Sequence, residues 1–235
     1  MELSSQFECW RKLKDPNNSW GLTWFLAAEF CRRFYSSHGL VPWVIAHEGL
    51  GYYGIGINSV PCSVHGTASE TLGRFTMGGN VENWQTGGPG DHGLKLIDEC
   101  QRGTPTVELI RKAIAHFELP AIPAKSHIVC RHKRWGSSYV LVFEIAAYLA
   151  LQFEAGELSI WNHPDNIKRK LEDRDYTAKM KEHPGAFLFV RNDRDLLVSG
   201  DGRFLDDSRD NLWQLYMHGQ SVSELAKLII GRLDA

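Results

Sequence analysis

The residues best suited to chemistry sit in the run Lys125-Ser-His127-Ile-Val-Cys130-Arg131-His132-Lys133-Arg134-Trp135-Gly136-Ser137-Ser138. Between Leu119 and Phe143 there are four Lys/Arg and no carboxylate, in a chain whose formal net charge is only -2. Gly136 and Ser137 open an apolar segment that reads as a helix. The first N–H groups of a helix lack intrahelical partners, and its dipole favours an anion there. Arg131 and Arg134 can each give a phosphate two parallel hydrogen bonds, Lys133 adds a point charge, and Trp135 offers a flat face for stacking. The expected ligand is a nucleic acid or another phosphate-bearing molecule held by a local basic loop. The near-neutral whole excludes a uniformly basic polyanion binder.

Glu144 lies seven residues beyond Ser137, two turns and about 10 Å along the same helix. Its neighbours Val140, Leu141, Ala147, Tyr148 and Leu151 are mostly apolar. The carboxylate is therefore expected to be desolvated and to need a partner: an Arg, a His or a metal ion. His132 in the basic loop, and His92 in the first turn of a helix expected from Asp91, are candidates for general acid or base. Together these residues point to a nuclease-like enzyme that hydrolyses phosphodiesters. Arg131, Lys133 and Arg134 would hold phosphates, and Glu144 would orient a His or bind a divalent cation, Mg or Mn. The alternative keeps the same loop in a non-catalytic module that recognises nucleic acid or protein.

A second constellation is metal-like. Cys62-x-x-His65 and His127-x-x-Cys130 are two Cys/His pairs at spacing three, where five Cys and ten His would give about 0.4 by chance. Two thiolates and two imidazoles suit tetrahedral zinc, and four protein ligands leave no open position, so the expected zinc is structural. Other matches fail on context. Gly88-Pro-Gly90-Asp-His-Gly93 fits the dinucleotide-binding spacing but follows Asn80-Val-Glu-Asn-Trp-Gln-Thr86, which is no buried strand. Gly219-Gln-Ser-Val-Ser-Glu-Leu-Ala resembles the opening of a helix-turn-helix, but no recognition helix follows it before Ala235, so a packing helix is expected.

These groups must be positioned by elements that the patterning outlines. Trp20 to Tyr35 reads as a helix ending before Gly39, and Val41 to Ala46 with Tyr52 to Val60 as a hairpin. Short strands are expected within Leu72 to Met77, then a Gly-rich loop, then helices over Asp91 to Gln101 and Thr104 to Phe117. Ile128 to Cys130 suits a short strand. Ser137 or Ser138 is expected to cap the apolar helix that runs to Phe153 and closes at Gly156. Asp165 to Glu182 mixes both charge signs and predicts a solvated helix. Phe187 to Arg191 and Leu196 to Ser199 flank Asn192-Asp193 and predict a second hairpin. Asp207 to Met217 and Ser221 to Leu233 predict two last helices. The second opens with the capping box Ser221-Val-Ser-Glu224 and carries Val222, Leu225, Ala226, Ile229 and Leu233 on one stripe.

Helices and hairpins alternate without a βαβ rhythm, so the expected class is α+β, a single mixed domain with two short β-hairpins packed against several helices. Residues 1–185 form the expected main body, and 186–235, the second hairpin with the last helices, an expected subdomain of it. With 43% hydrophobic and 23% charged residues, disorder and fibrous architectures are excluded. The start Met1-Glu2-Leu3-Ser4-Ser5 has neither the basic nor the apolar region of a secretion signal. The five cysteines form no small-secreted-domain framework, and the apolar stretch Tyr139 to Phe153 is too short for a membrane span and carries Glu144. A cytoplasmic protein without a membrane partner is the expectation.

Overall fold

The computed structural model describes residues 19–38, 40–47, 52–59, 73–75, 81–83, 102–105, 108, 136–153, 156–162, 164–171, 185–206 and 209–235. Helix α1 (Ser19–His38) forms where the sequence places it. Trp20, Trp24, Ala27, Ala28 and Cys31 recur at three- and four-residue spacing and are all buried, so one stripe faces the core. Strands β1 (Leu40–His47) and β2 (Tyr52–Ser59) pair antiparallel from Leu40↔Ser59 to His47↔Tyr52, the expected hairpin. β3 (Gly73–Phe75) and β4 (Val81–Asn83) extend it to a sheet of order β1-β2-β3-β4. β4 is an addition to the expected elements, because three residues are too few to show alternation.

Among the described residues β1 is an edge strand, a position that tolerates Pro42. Two residues on, the Val44 N–H donates to Asn162 Oδ1 at 2.7 Å, so at this point of the edge a side chain takes the backbone donor. Asn162 directly follows β5 (Ser159–Trp161), so the bond also ties the first sheet to the second.

Helix α2 (Gly136–Gln152) is buried on nearly all sides, as a central helix must be when its sequence is apolar all round. Its start corrects one expectation. Ser137 and Ser138 both lie inside the helix, with Ser138 buried, so neither is the cap. The helix closes as expected: the Phe153 N–H donates to Leu149 O, and Gly156 takes φ +113°.

The second sheet, β5-β6-β7, is antiparallel throughout, with β6 (Phe187–Arg191) and β7 (Arg194–Val198) joined at Asn192 (φ 50°) and Asp193 (φ 62°). Two successive positive φ values define the hairpin turn for which Asn and Asp are suited. β6 reads as a continuous apolar run because both of its faces are covered. Phe187 and Phe189 enter the main core, while Leu188 joins Trp161 and Ile167 in a smaller cluster beneath helix α3 (Pro164–Lys170). The charged run from Asp165 thus begins as a helix, and residues 172–182 lie outside the described residues.

Rings knit the main core together. Phe143 and Phe187 meet edge to face with centroids 4.8 Å apart, and Tyr139 meets Phe143 in the same way at 5.2 Å. Gly185 is required here: its φ is +78°, and a Cβ on it would lie 2.9 Å from Tyr139 Cε2.

Helices α4 (Leu212–Met217) and α5 (Val222–Asp234) end the chain. α4 is shorter than the expected Asp207 start, because Asn211 is the cap that wins. Its Oδ1 accepts the N–H groups of Trp213 and Gln214, and its backbone bridges Arg203. α5 matches its prediction closely. The Ser221 and Glu224 capping box is formed, and Leu225, Ala226, Ile229 and Leu233 are buried. One buried cluster runs from Trp20 in α1 through α2 and β6 to Leu233 in α5. Helices and antiparallel strands coexist in the described residues, compatible with the α+β class. No helix among them is long and apolar enough to cross a membrane.

Candidate functional site

The site expected from the sequence has its described part on α2. Gly136 and Ser137 are the first two residues of the helix, directly behind Trp135. The first turn carries no acidic side chain, so nothing on this helix offsets the positive end of its dipole. Arg131, His132, Lys133, Arg134 and Trp135 lie outside the described residues, as do His92 and the expected zinc ligands Cys62, His65, His127 and Cys130. Among the described residues no group of three or more His, Cys, Asp or Glu side chains is placed to hold a metal ion.

Glu144 is described in full: its partner is one of those the sequence allows, an arginine, while its side chain is half-buried rather than sealed. It sits on the one line of α2 that is not sealed: Val140, Glu144 and Tyr148 are half-buried and Gln152 is exposed, at successive four-residue steps. Its partner is an arginine from α1. Arg32 Nε and Nη2 both donate to Glu144 Oε1, at 3.0 and 2.6 Å. Arg32 Nη1 lies 3.1 Å from Oε1 of Glu29, one turn back on α1. The Glu29 side chain is 7% exposed, that of Glu144 19% and that of Arg32 41%. One guanidinium thus spans two carboxylates at the crossing of α1 and α2.

Cys31, adjacent to Arg32, is fully buried in the same crossing. Burial first, and then the Glu144 carboxylate, push its thiol well above the usual thiol range. Both effects favour the neutral thiol over the thiolate.

The chemistry open to Glu144 follows from this geometry. Arg32 occupies Oε1, one of the two oxygens that could take a metal ion or a histidine N–H. Oε2 receives no hydrogen bond among the described residues. The sequence located Glu144 and the need for a partner, but not Arg32 and Glu29. The available signal was Glu29-x-x-Arg32, an ion pair at helical spacing in a segment otherwise rich in buried residues. Comparison of the chain with protein-family models, with curated proteins and with solved structures finds no match, so the site must be argued from its own residues.

Proposed function

We propose that this protein binds a phosphate-bearing ligand, in the first place a nucleic-acid strand, through the basic run that leads into α2. The observation that carries this reading is where α2 begins. Gly136 is its first residue, so Arg131, Lys133 and Arg134 fall within the five residues before a helix end that has no acidic side chain in its first turn. Basic side chains and free backbone N–H groups at one place are a recurrent anion cradle. Trp135 would stack on a base in this reading. Glu144 is a support in this reading, joining α1 to the helix that bears the cradle.

A second reading, phosphodiester hydrolysis with Mg or Mn, draws on Glu144 Oε2, which takes no hydrogen bond among the described residues. It needs His132 or His92 to approach that atom. The support for binding without turnover is that Arg32 already holds the other oxygen twice over. Within either reading, the chain is a single mixed α+β domain of the cytoplasm, and Cys62, His65, His127 and Cys130 share a structural zinc.

Replacing Arg131, Lys133 and Arg134 together by Ala tests the cradle. Binding to a single-stranded oligonucleotide, followed by fluorescence anisotropy over a salt series, should weaken. The log–log salt slope should flatten by about 0.7 to 0.9 for each phosphate that the variant no longer neutralises. An unchanged slope in a variant with an unchanged melting curve would remove this run as the binding site.

A further inference from the structure

The loop between β7 and α4 contains more arginine than its own architecture uses. Arg232 of α5 does the holding. Its Nη1 donates to Asp206 Oδ2 at 2.9 Å, its Nη2 to Asp210 Oδ2 at 2.5 Å, and its guanidinium lies 4.1 Å from the centre of the Phe204 ring. On the other flank, Ser199 Oγ donates to Asp201 and accepts the Arg203 N–H, while the backbones of Arg203 and Asn211 bridge. Gly202 lets the two arms close, since a Cβ there would lie 2.9 Å from Trp213 N.

Arg203 and Arg209 take little part in this. Arg203 places Nε 3.0 Å from Asp201 Oδ2, but its side chain is 61% exposed and its two Nη groups have no partner among the described residues. Arg209 is exposed, with no ion pair or hydrogen bond among the described residues. Both line a surface pocket of about 370 Å³ together with Phe204, Asp210, Asn211 and Gln214. Asp210 is already answered by Arg232, so the unused groups that face this space are guanidinium donors and the exposed Gln214 amide.

We propose that this pocket binds the oxyanion of a small organic acid, a carboxylate or a phosphate monoester, through Arg203 and Arg209. The charge balance selects the ligand class. Arg203, Arg209 and Arg232 stand against four aspartates of the same loop, Asp201, Asp206, Asp207 and Asp210, so no net positive field draws a polyanion to this face. What the pocket offers is short-range and directional: planar guanidinium forks on walls fixed in advance by hydrogen bonds that the ligand does not have to make. That arrangement suits one oxyanion on a small body. It uses none of the residues of the basic run before α2, and its test is independent of that site.

Titration of the ¹⁵N-labelled full chain with phenyl phosphate and with benzoate, followed by amide chemical shifts, decides the matter. Saturable shifts centred on residues 202–206 and 209–214 are expected with at least one probe. Response to phenyl phosphate alone assigns a phosphate monoester, to benzoate alone a carboxylate, and to both an oxyanion of either kind. Arg209→Gln, which breaks no hydrogen bond among the described residues, should weaken binding about tenfold or more. Arg203→Gln with Arg209→Gln should abolish saturation at an unchanged melting temperature. Absence of saturable shifts with both probes overturns the proposal, as does binding that survives the double substitution.

Discussion

Replacing Glu144 by Gln keeps the shape of the side chain and removes its charge, so it isolates what that charge does for Arg32. Gln Oε1 can still accept from Arg32, and Arg32 keeps Glu29 at 3.1 Å. The substitution removes the ionic part of two hydrogen bonds at 3.0 and 2.6 Å. Breaking a fully buried pair costs about 3–5 kcal/mol, and exposed pairs contribute about 0.2–1 kcal/mol. Side chains 19% and 41% exposed put this pair nearer the exposed limit. Two carboxylates around one guanidinium also repel each other, and the substitution relieves that repulsion. The net loss should be about 1–2 kcal/mol by these bounds, or about 2–8 °C in melting temperature for a chain of this size. Arg32→Gln should cost more, because it removes the guanidinium that Glu29 and Glu144 share. Thermal melts of both single variants and the double variant close a cycle with a coupling of about 1 kcal/mol. Oligonucleotide binding should be retained throughout. A Glu144→Gln protein that melts at or above the parent temperature, while Mg- or Mn-dependent cleavage falls by a factor of about 10² or more, would refute the supporting role and establish the hydrolytic one.

Three further outcomes are expected. Gly185→Ala and Gly156→Ala both place a Cβ on positive-φ backbone, but only at Gly185 does that Cβ meet a neighbour, Tyr139 at 2.9 Å, which adds about 1–3 kcal/mol, so Gly185→Ala should destabilise the fold more; urea melts give the comparison. Folded Cys31 keeps its proton where an unfolded thiol, with a pKa of about 8.5, loses it. Its contribution is therefore whole below that pH and declines as pH rises through it, so Cys31→Ala should flatten the alkaline loss of stability in melts over a pH series. If Cys62, His65, His127 and Cys130 share a zinc, protein purified without added metal should carry about one zinc per chain by elemental analysis, and a metal content near zero would dismiss the site.

How far the fold could be read from sequence depended on the length of each pattern. The stripe of α5 repeats over three turns and is announced by Ser221 and Glu224, so both its face and its start were legible. The turn at Asn192-Asp193 was legible because those two residues accept positive φ. β4 and β5 have three residues each, too few for any period to emerge. The start of α4 was not legible because Asp207, Asp210 and Asn211 are all competent caps. The choice among them is made by tertiary structure, through the bridge between Arg203 and Asn211 and the grip of Arg232 on Asp210.

Glu144 shows the same division at the site itself. Helical spacing put apolar neighbours around it, and from that came the expectation of a desolvated carboxylate. What the spacing does not contain is how two helices cross. Arg32 is 112 residues away in sequence, and only the packing of α1 against α2 brings it to Oε1. That crossing leaves the line from Val140 to Gln152 as the open side of an otherwise sealed helix, and an arginine with 41% of its side chain exposed fills it. A carboxylate placed there does not need a catalytic reason to exist. With Glu29 it answers the cation that α1 presents at the seam, and so it ties α1 to α2.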